Sequence, residues 1–225
     1  MASDYDTTLP RGGAVGRDEE IVSSQTLFGQ VMGLVAITCA FAAVGAYIGR
    51  DLNGGVGFGA FIGALALTFG IRYAILRSER LAITLLFGMG LLLGLFIGPI
   101  VNEYANANPG VVYQAAGATA LFVGGLGAYG YATSRDFSTW ARTLFWSLLA
   151  LIGFGLVTLF VAIPGGNVIY AVLGLVLFGF YTVFDFNRLK RASDMRLAPA
   201  LAASIFLDIF NIFLFMLSLL GGGRR

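Results

Sequence analysis

Histidine is absent from this 225-residue sequence, cysteine occurs once, as Cys39, and lysine once, as Lys190. Without histidine the chain has no imidazole ligand for haem or zinc, and any proton sensing must fall on carboxylates. A single cysteine excludes an intramolecular disulfide and a thiolate metal cluster. A retinal protein is also excluded, because its Schiff base needs a lysine within a span and Lys190 falls in a loop. We therefore expect no resident cofactor.

Charged residues are scarce as well, at 12% of the chain against 58% hydrophobic residues, and the mean hydropathy is +0.85. Runs of about 20 apolar residues match the hydrocarbon thickness of a bilayer. The sequence contains seven of them, near residues 28–49, 55–76, 81–102, 111–132, 143–164, 167–188 and 199–220. We predict an all-α polytopic membrane protein, with a polar tail at 1–27, one seven-helix domain at 28–220 and a short tail at 221–225.

The basic residues are unevenly divided between the two sides of this topology. Three fall opposite the N-terminus, namely Arg50, Arg224 and Arg225. The other eleven share its side: Arg11, Arg17, Arg72, Arg77, Arg80, Arg135, Arg142, Arg188, Lys190, Arg191 and Arg196. Positive charge resists translocation, so we predict a cytoplasmic N-terminus and an external C-terminus, in a membrane such as the bacterial inner membrane. The net charge of +2 reflects this bias, and nothing in it suggests a nucleic-acid partner.

Small residues recur at every fourth position in two spans. They are Gly55, Gly59 and Gly63 in the second span, and Ala116, Ala120, Gly124, Ala128 and Ala132 in the fourth. Such stripes let helix backbones approach closely in a membrane. We predict that both stripes are buried against neighbouring helices.

The outer end of the third span carries Gly98-Pro99-Ile100, followed by Glu103. Proline lacks a backbone N–H, so Pro99 should kink or end the helix. Glu103 could attract cations at an outer mouth, although a solvated charge at the membrane boundary is the more ordinary interpretation.

Two aspartates interrupt the last two apolar spans. Asp185 closes the sixth, and Asp208 lies in the middle of the seventh. An acid at mid-bilayer costs on the order of 3 kcal/mol to insert, so it is read as functional by default. If the sixth helix runs to about Ser193 and the seventh starts near Pro199, each aspartate lies about eight residues, roughly 12 Å, from the turn. The two acids should therefore sit at matching depth.

Other polar residues follow the same helical faces. Tyr181, Asp185 and Arg188 share one face of the sixth span, and Ser204, Asp208, Asn211 and Ser218 share a face of the seventh. Two polar faces on adjacent helices should meet. The alternative is that Asp185 pairs with Arg188 one turn on, as an interfacial ion pair.

If the two carboxylates meet in a low-dielectric site, they cannot readily both be ionised, and they should titrate as a unit. Loss of the shared proton would add repulsion across the hairpin. This favours separation of the helices or capture of a hard divalent cation, for which calcium is the natural candidate. Arg72 or Arg77 could hold one aspartate in a closed state, although the positive-inside bias alone also explains both arginines.

Three segments together resemble the Bax inhibitor family of membrane proteins: Gly98-Pro99-Ile100, Asp185-Phe186-Asn187, and residues 207–214 around Asp208. The resemblance runs from about Phe28 onward. It implies a seven-helix bundle with the last helix central, which conducts a pH-sensitive calcium leak. It also implies that Asp185 and Asp208 form the proton-sensing pair, with an arginine at the cytoplasmic end of the second span as latch. An acid that some family members carry in the second span is absent here.

Three functional classes follow. The first is the calcium leak, with the lipid bilayer, calcium and protons as its partners. The second is a regulator that binds a membrane protease or other membrane complex without conducting ions. The third is an intramembrane aspartyl protease, since paired aspartates could activate water. Ile205-Phe206-Leu207 precedes Asp208, whereas such proteases resemble a Gly-x-Gly-Asp pattern, so we expect a protein that is not an enzyme.

Overall fold

The computed structural model describes residues 12–161 and 163–222, with side chains from residue 25 onward except that of residue 159. This part of the chain forms seven long α-helices and no strand. They are α1 (Gly12–Gly49), α2 (Gly54–Ala74), α3 (Glu79–Ala107), α4 (Pro109–Ala132), α5 (Trp140–Phe160), α6 (Gly166–Arg191) and α7 (Ala198–Gly221). All seven are long and apolar enough to cross a membrane, which confirms the predicted fold class.

The helix bounds differ from the predicted spans mainly at the N-terminus. Helix α1 already begins at Gly12, within the segment assigned to a polar tail, and its candidate span is Gln25–Gly49. Residues 1–11 and 223–225 of the two predicted tails lie outside the described residues. Helix α6 ends at Arg191, so Lys190 lies in its last turn and the prediction that it falls in a loop is wrong. A 3-10 turn at Met195–Leu197 then leads into α7. The sixth and seventh helices thus form the tight hairpin that the sequence predicts.

Helix α7 lies at the centre of the bundle. It packs against α1, α3, α4 and α6, whereas α5 lies at the edge and packs mainly on α6. Half or more of the most apolar stretch of α7 is buried, against about a tenth of that of α5. Asp185 on α6 and Asp208 on α7 are therefore well shielded from the surroundings, unlike the basic residues at the end of α6.

Helices α1 and α3 make the closest backbone contact, through glycines of α3. A Cβ at Gly90 would meet the Thr38 carbonyl oxygen at 2.8 Å, and one at Gly94 would overlap the carbonyl oxygen of Ala42. Gly98 faces Gly49 in the same way. Small residues thus allow backbone-to-backbone packing where apolar surroundings provide no hydrophobic drive for association.

The prediction that the small-residue stripes of α2 and α4 are buried against neighbouring helices is wrong, except for Gly63, which is half-buried and where a Cβ would meet Leu92 Cδ1 of α3 at 3.1 Å. Gly55 and Gly59 are exposed, and a Cβ at Gly59 would meet no atom within 4 Å. The α4 stripe is exposed along its whole length, and four of its members, Ala116, Ala120, Gly124 and Ala128, line an open cavity of about 700 Å³ beside α1 and α7. Small residues permit a close approach but do not require one, so the stripe alone does not identify the packed face.

Pro99 was expected to kink or end the third helix. It does not end the helix, because α3 continues to Ala107. Only Asn108 separates α3 from α4, and its side chain accepts a hydrogen bond from the Gly110 N–H at 3.1 Å. Pro99 removes a single helical donor, and the turns on either side hold the helix together.

Candidate functional site

Asp185 and Asp208 are the buried ionisable residues of the described chain. They are 5% and 4% exposed, and each comes from one helix of the α6–α7 hairpin. The two carboxyl groups lie close enough for their charges to interact. Asp185 acts electrostatically on Asp208, so the structure places the two acids that the sequence singled out in one buried region of the α6–α7 hairpin.

One oxygen of this pair lacks a partner. Oδ2 of Asp208 is buried and has no hydrogen-bond partner among the described residues. A buried polar atom without a hydrogen bond costs about 1–3 kcal/mol, so such atoms are rare in folded proteins. This oxygen is a natural place for a proton or for a passing cation.

Two arginines act on Asp185. Arg188 Nη1 lies 3.9 Å from Asp185 Oδ1, which is an ion pair but is too long for a hydrogen bond, and the Arg188 side chain is 41% exposed. Arg72, in the last turn of α2, also lies within electrostatic reach of Asp185. The other latch candidate, Arg77, instead stacks on the ring of Tyr73, with 4.7 Å from its Cζ to the ring centroid. Of the two candidates, Arg72 is thus the one near the pair.

The other polar residues predicted for the pathway differ in how they lie relative to the aspartate pair. Tyr181 lies within electrostatic reach of both carboxyl groups. Ser204 is half-buried on α7, and the Asn211 amide donates to the carbonyl oxygen of Leu207 in its own helix at 2.7 Å. Glu103 is exposed and lies near the end of α3 where Asn102 contacts Arg50, at the other end of the bundle from Arg72. Glu103 therefore does not join the pair.

The site carries few metal ligands. The described residues contain no cluster of three or more His, Cys, Asp or Glu side chains. Calcium takes six to eight oxygen ligands when it is held tightly, so two carboxylates supply a small part of such a shell.

Comparison with known proteins identifies the family of this chain. A family model described as "inhibitor of apoptosis-promoting Bax1" matches residues 24–225. The chain belongs to the Bax inhibitor family. It is similar to an uncharacterized protein of Borreliella burgdorferi, with 27% identity over 92% of this chain and 96% of the relative. It is also similar to an uncharacterized membrane protein of Vibrio cholerae, with 32% identity over 58% of this chain and 59% of the relative.

In this member of the Bax inhibitor family, Asn187 has a structural role that the sequence analysis did not assign to it. Its side chain is 2% exposed and reaches from α6 to the end of α4 and the segment that follows. Its amide nitrogen donates to the carbonyl oxygens of Gly130 at 3.2 Å and Arg135 at 3.1 Å, and its Oδ1 accepts from the Phe137 N–H at 3.4 Å. Asn187 therefore fixes the α4–α5 connection beside the aspartate pair. The signal available in the sequence was its place two residues after Asp185.

Basic residues at the end of α6 complete this attachment. The Lys190 ammonium donates to the carbonyl oxygen of Thr133 at 2.9 Å, and Arg191 lies 3.3 Å from Asp136. The backbone N–H of Ser138 is the main reason that the pKa of Asp136 is lowered from its ordinary value, and Arg191 contributes less. A lowered pKa means that these contacts stabilise the fold above the ordinary range of the carboxyl and are lost as the pH falls through the lowered value.

Replacing Asn187 with alanine is expected to loosen the α4–α5 connection. The change leaves buried donors and acceptors without a partner, at a cost of about 2–4 kcal/mol in the free energy of unfolding. For a chain of this size that corresponds to a fall of roughly 4–16 °C in Tm, which thermal unfolding in detergent measures. The matched control is Asn167→Ala, an exposed asparagine at the start of the same helix. Equal Tm values for the two variants would contradict the assigned role of Asn187.

Proposed function

We propose that this Bax inhibitor family member is a pH-sensitive calcium leak channel that is gated by the Asp185–Asp208 pair. The observation that carries the proposal is the enclosure of two interacting carboxyl groups at the centre of a membrane bundle, one of which keeps a buried oxygen without a hydrogen bond. Ionisable groups in such positions mark ion or proton pathways in membrane proteins. Burying two carboxyl groups is energetically costly, and packing alone does not account for their presence in the bundle.

The gate operates through one proton. With a proton shared between the two carboxyl groups, the pair carries one negative charge, and the positive charges of Arg72 and Arg188 act on Asp185. Loss of that proton leaves two like charges that repel each other. As a general scale, two unit charges 4 Å apart repel by about 4 kcal/mol at an effective dielectric constant of 20. This is comparable to the few kcal/mol that separate conformations of many proteins. The helices then separate or a cation enters between the carboxylates, so flux increases as the pH rises.

Calcium is the proposed substrate rather than a resident cofactor. Hard divalent cations prefer carboxylate oxygens, and a deprotonated pair supplies two such groups within the bundle. The cavity of about 700 Å³ beside α1 and α7 is lined by Phe186 and Ile209, the sequence neighbours of the two acids, rather than by Asp185 or Asp208. In this proposal the conformation described here is the closed state.

The latch is expected to involve Arg72 and not Arg77. Arg72→Gln removes a positive charge that acts on Asp185 and should raise the leak severalfold at a pH where the wild type is closed. Arg77→Gln is the matched control, because it removes an equal charge that stacks on Tyr73 instead. Calcium entry into liposomes measures both variants. An equal rise in the two variants would assign the effect to surface charge and contradict the latch.

The proposed orientation has the N-terminus in the cytoplasm and the protein in a bacterial inner membrane. It depends on the basic residues at the ends of the helices. The end of the bundle that includes the α6–α7 turn carries nine of them among the residues with described side chains: Arg72, Arg77, Arg80, Arg135, Arg142, Arg188, Lys190, Arg191 and Arg196. The relatives named above are bacterial. Reporter fusions at the two termini test the orientation, and a reporter that is active outside when fused to the N-terminus would reverse it.

The decisive experiment is calcium uptake by liposomes that contain the purified protein and an enclosed calcium indicator, measured across a pH series. We expect uptake that exceeds protein-free liposomes and rises with pH. Absence of uptake at every pH would contradict the channel and favour the alternative, a regulator that binds a membrane protease or other complex. Incubation with an unfolded transmembrane peptide tests the expectation that the protein is not an enzyme, since cleavage that depends on both aspartates would overturn it.

A further inference from the structure

A second cavity lies on the lipid-facing side of the bundle, away from the aspartate pair. It measures about 410 Å³ and is formed by α4, α6 and the segment that leads into α5. Both α4 and α5 pack on α6, so α6 provides the floor between them. We call it the α4–α6 groove; its lining residues are Phe122, Leu126, Tyr129, Arg135, Phe137, Trp140, Val176, Gly179, Phe180 and Val183.

The floor and walls of the groove are apolar. A Cβ at Gly179 would meet Leu126 Cδ1 at 3.1 Å and the Phe122 ring at 3.2 Å. Because glycine has no side chain, Leu126 and Phe122 can pack directly against the backbone of α6 there. Val176 and Phe180 are 53% and 46% exposed although they belong to a membrane span. From Val176 to Val183 the groove follows α6 for about 10 Å. An apolar channel of this kind, open to the bilayer, suits a hydrocarbon chain.

One end of the groove is charged. Arg135 lines it there, just beyond the end of α4, and its guanidinium forms no ion pair with another described residue. Its backbone is held in place, because its carbonyl oxygen accepts hydrogen bonds from Asn187 at 3.1 Å and Arg191 at 2.9 Å. Tyr129 and Trp140 line the same groove and bring a hydroxyl and an indole N–H, which suit the polar boundary of a membrane.

We propose that the α4–α6 groove binds a phospholipid with an anionic headgroup, with an acyl chain along Val176 and Phe180 and the phosphate at Arg135. The guanidinium fork matches a phosphate, and basic pockets between membrane helices bind anionic lipid headgroups. None of the lining residues is acidic, so the cation of a zwitterionic headgroup would find no counterion in the groove. The nearest acid in sequence, Asp136, accepts a hydrogen bond from the Ser138 N–H at 2.8 Å and forms an ion pair with Arg191, so its charge is already paired.

Native mass spectrometry of the full chain in detergent tests the headgroup, with phosphatidylglycerol and phosphatidylcholine of identical acyl chains as probes. The wild type should bind phosphatidylglycerol more tightly, and Arg135→Gln should weaken that binding by about tenfold and remove the preference. Arg142→Gln is the matched control, an exposed arginine near the start of α5 that does not line the groove. No preference in the wild type, or an equal loss in both variants, would overturn the proposal.

The acyl chain is tested separately. Val176→Phe should fill the groove and weaken the binding of both lipids, whereas Val44→Phe, on α1 and also 53% exposed in the wild type, should leave binding unchanged. Glycerol phosphate, which has the headgroup chemistry without a chain, should not displace phosphatidylglycerol at equal concentration. Displacement by glycerol phosphate would show a site for soluble anions, and equal binding by the two valine variants would place the lipid elsewhere; either result overturns the proposal.

Discussion

Asp208→Asn is expected to abolish the pH dependence of calcium flux through liposomes that contain this protein. Asparagine has nearly the same shape as aspartate but cannot ionise, so the pair retains its packing and loses the repulsion that opens the gate. A group that titrates alone changes its ionised fraction about tenfold per pH unit on the acidic side of its midpoint. The wild-type flux should therefore vary by up to about that factor per unit, and the flux of the variant should stay nearly constant over the same pH range.

Glu103→Gln provides the control, because it removes an exposed carboxylate at the far end of the bundle. Its pH profile should match the wild type. Asp185→Asn should behave like Asp208→Asn or hold the pore in one state, since it removes the other member of the pair. An unchanged pH profile in Asp208→Asn would exclude Asp208 from gating while leaving the fold and the family assignment intact.

Gly94→Ala is expected to destabilise the protein strongly by forcing α1 and α3 apart at their backbone contact. The new Cβ would overlap the carbonyl oxygen of Ala42, which is backbone and cannot rotate away. Alanine gains about 1 kcal/mol over glycine in helix propensity, but the forced separation of two packed backbones costs about 3 kcal/mol or more. The net loss of about 2 kcal/mol corresponds to a fall of roughly 4–8 °C in Tm, measured by thermal unfolding in detergent.

The matched control is Gly125→Ala in α4, where a Cβ would meet no atom within 4 Å. There the helix propensity acts without a steric cost, and Tm should stay the same or rise slightly. Similar Tm values for Gly94→Ala and Gly125→Ala would mean that helices α1 and α3 do not pack as closely as described.

The sequence by itself was sufficient for the seven helices, because each span repeats one local requirement, about 20 apolar residues without interruption. It also identified Asp185 and Asp208, since an acid within such a run is costly wherever the helix lies. The proximity of α6 and α7 was predictable from the short turn between them, because consecutive helices joined by a short connection usually pack against each other. These features depend on local composition or on connections a few residues long.

Only the tertiary structure decided which surfaces face each other. Small residues occur every four positions in several helices, yet α3 uses Gly90, Gly94 and Gly98 for backbone contact, while the α4 stripe borders a cavity. The same holds for Arg72, whose charge acts on Asp185, and for Asn187, which binds residues more than 50 positions earlier in the chain. Side-chain spacing sets the face of a helix on which a residue lies, but the rotation and packing of the whole bundle set what that face meets.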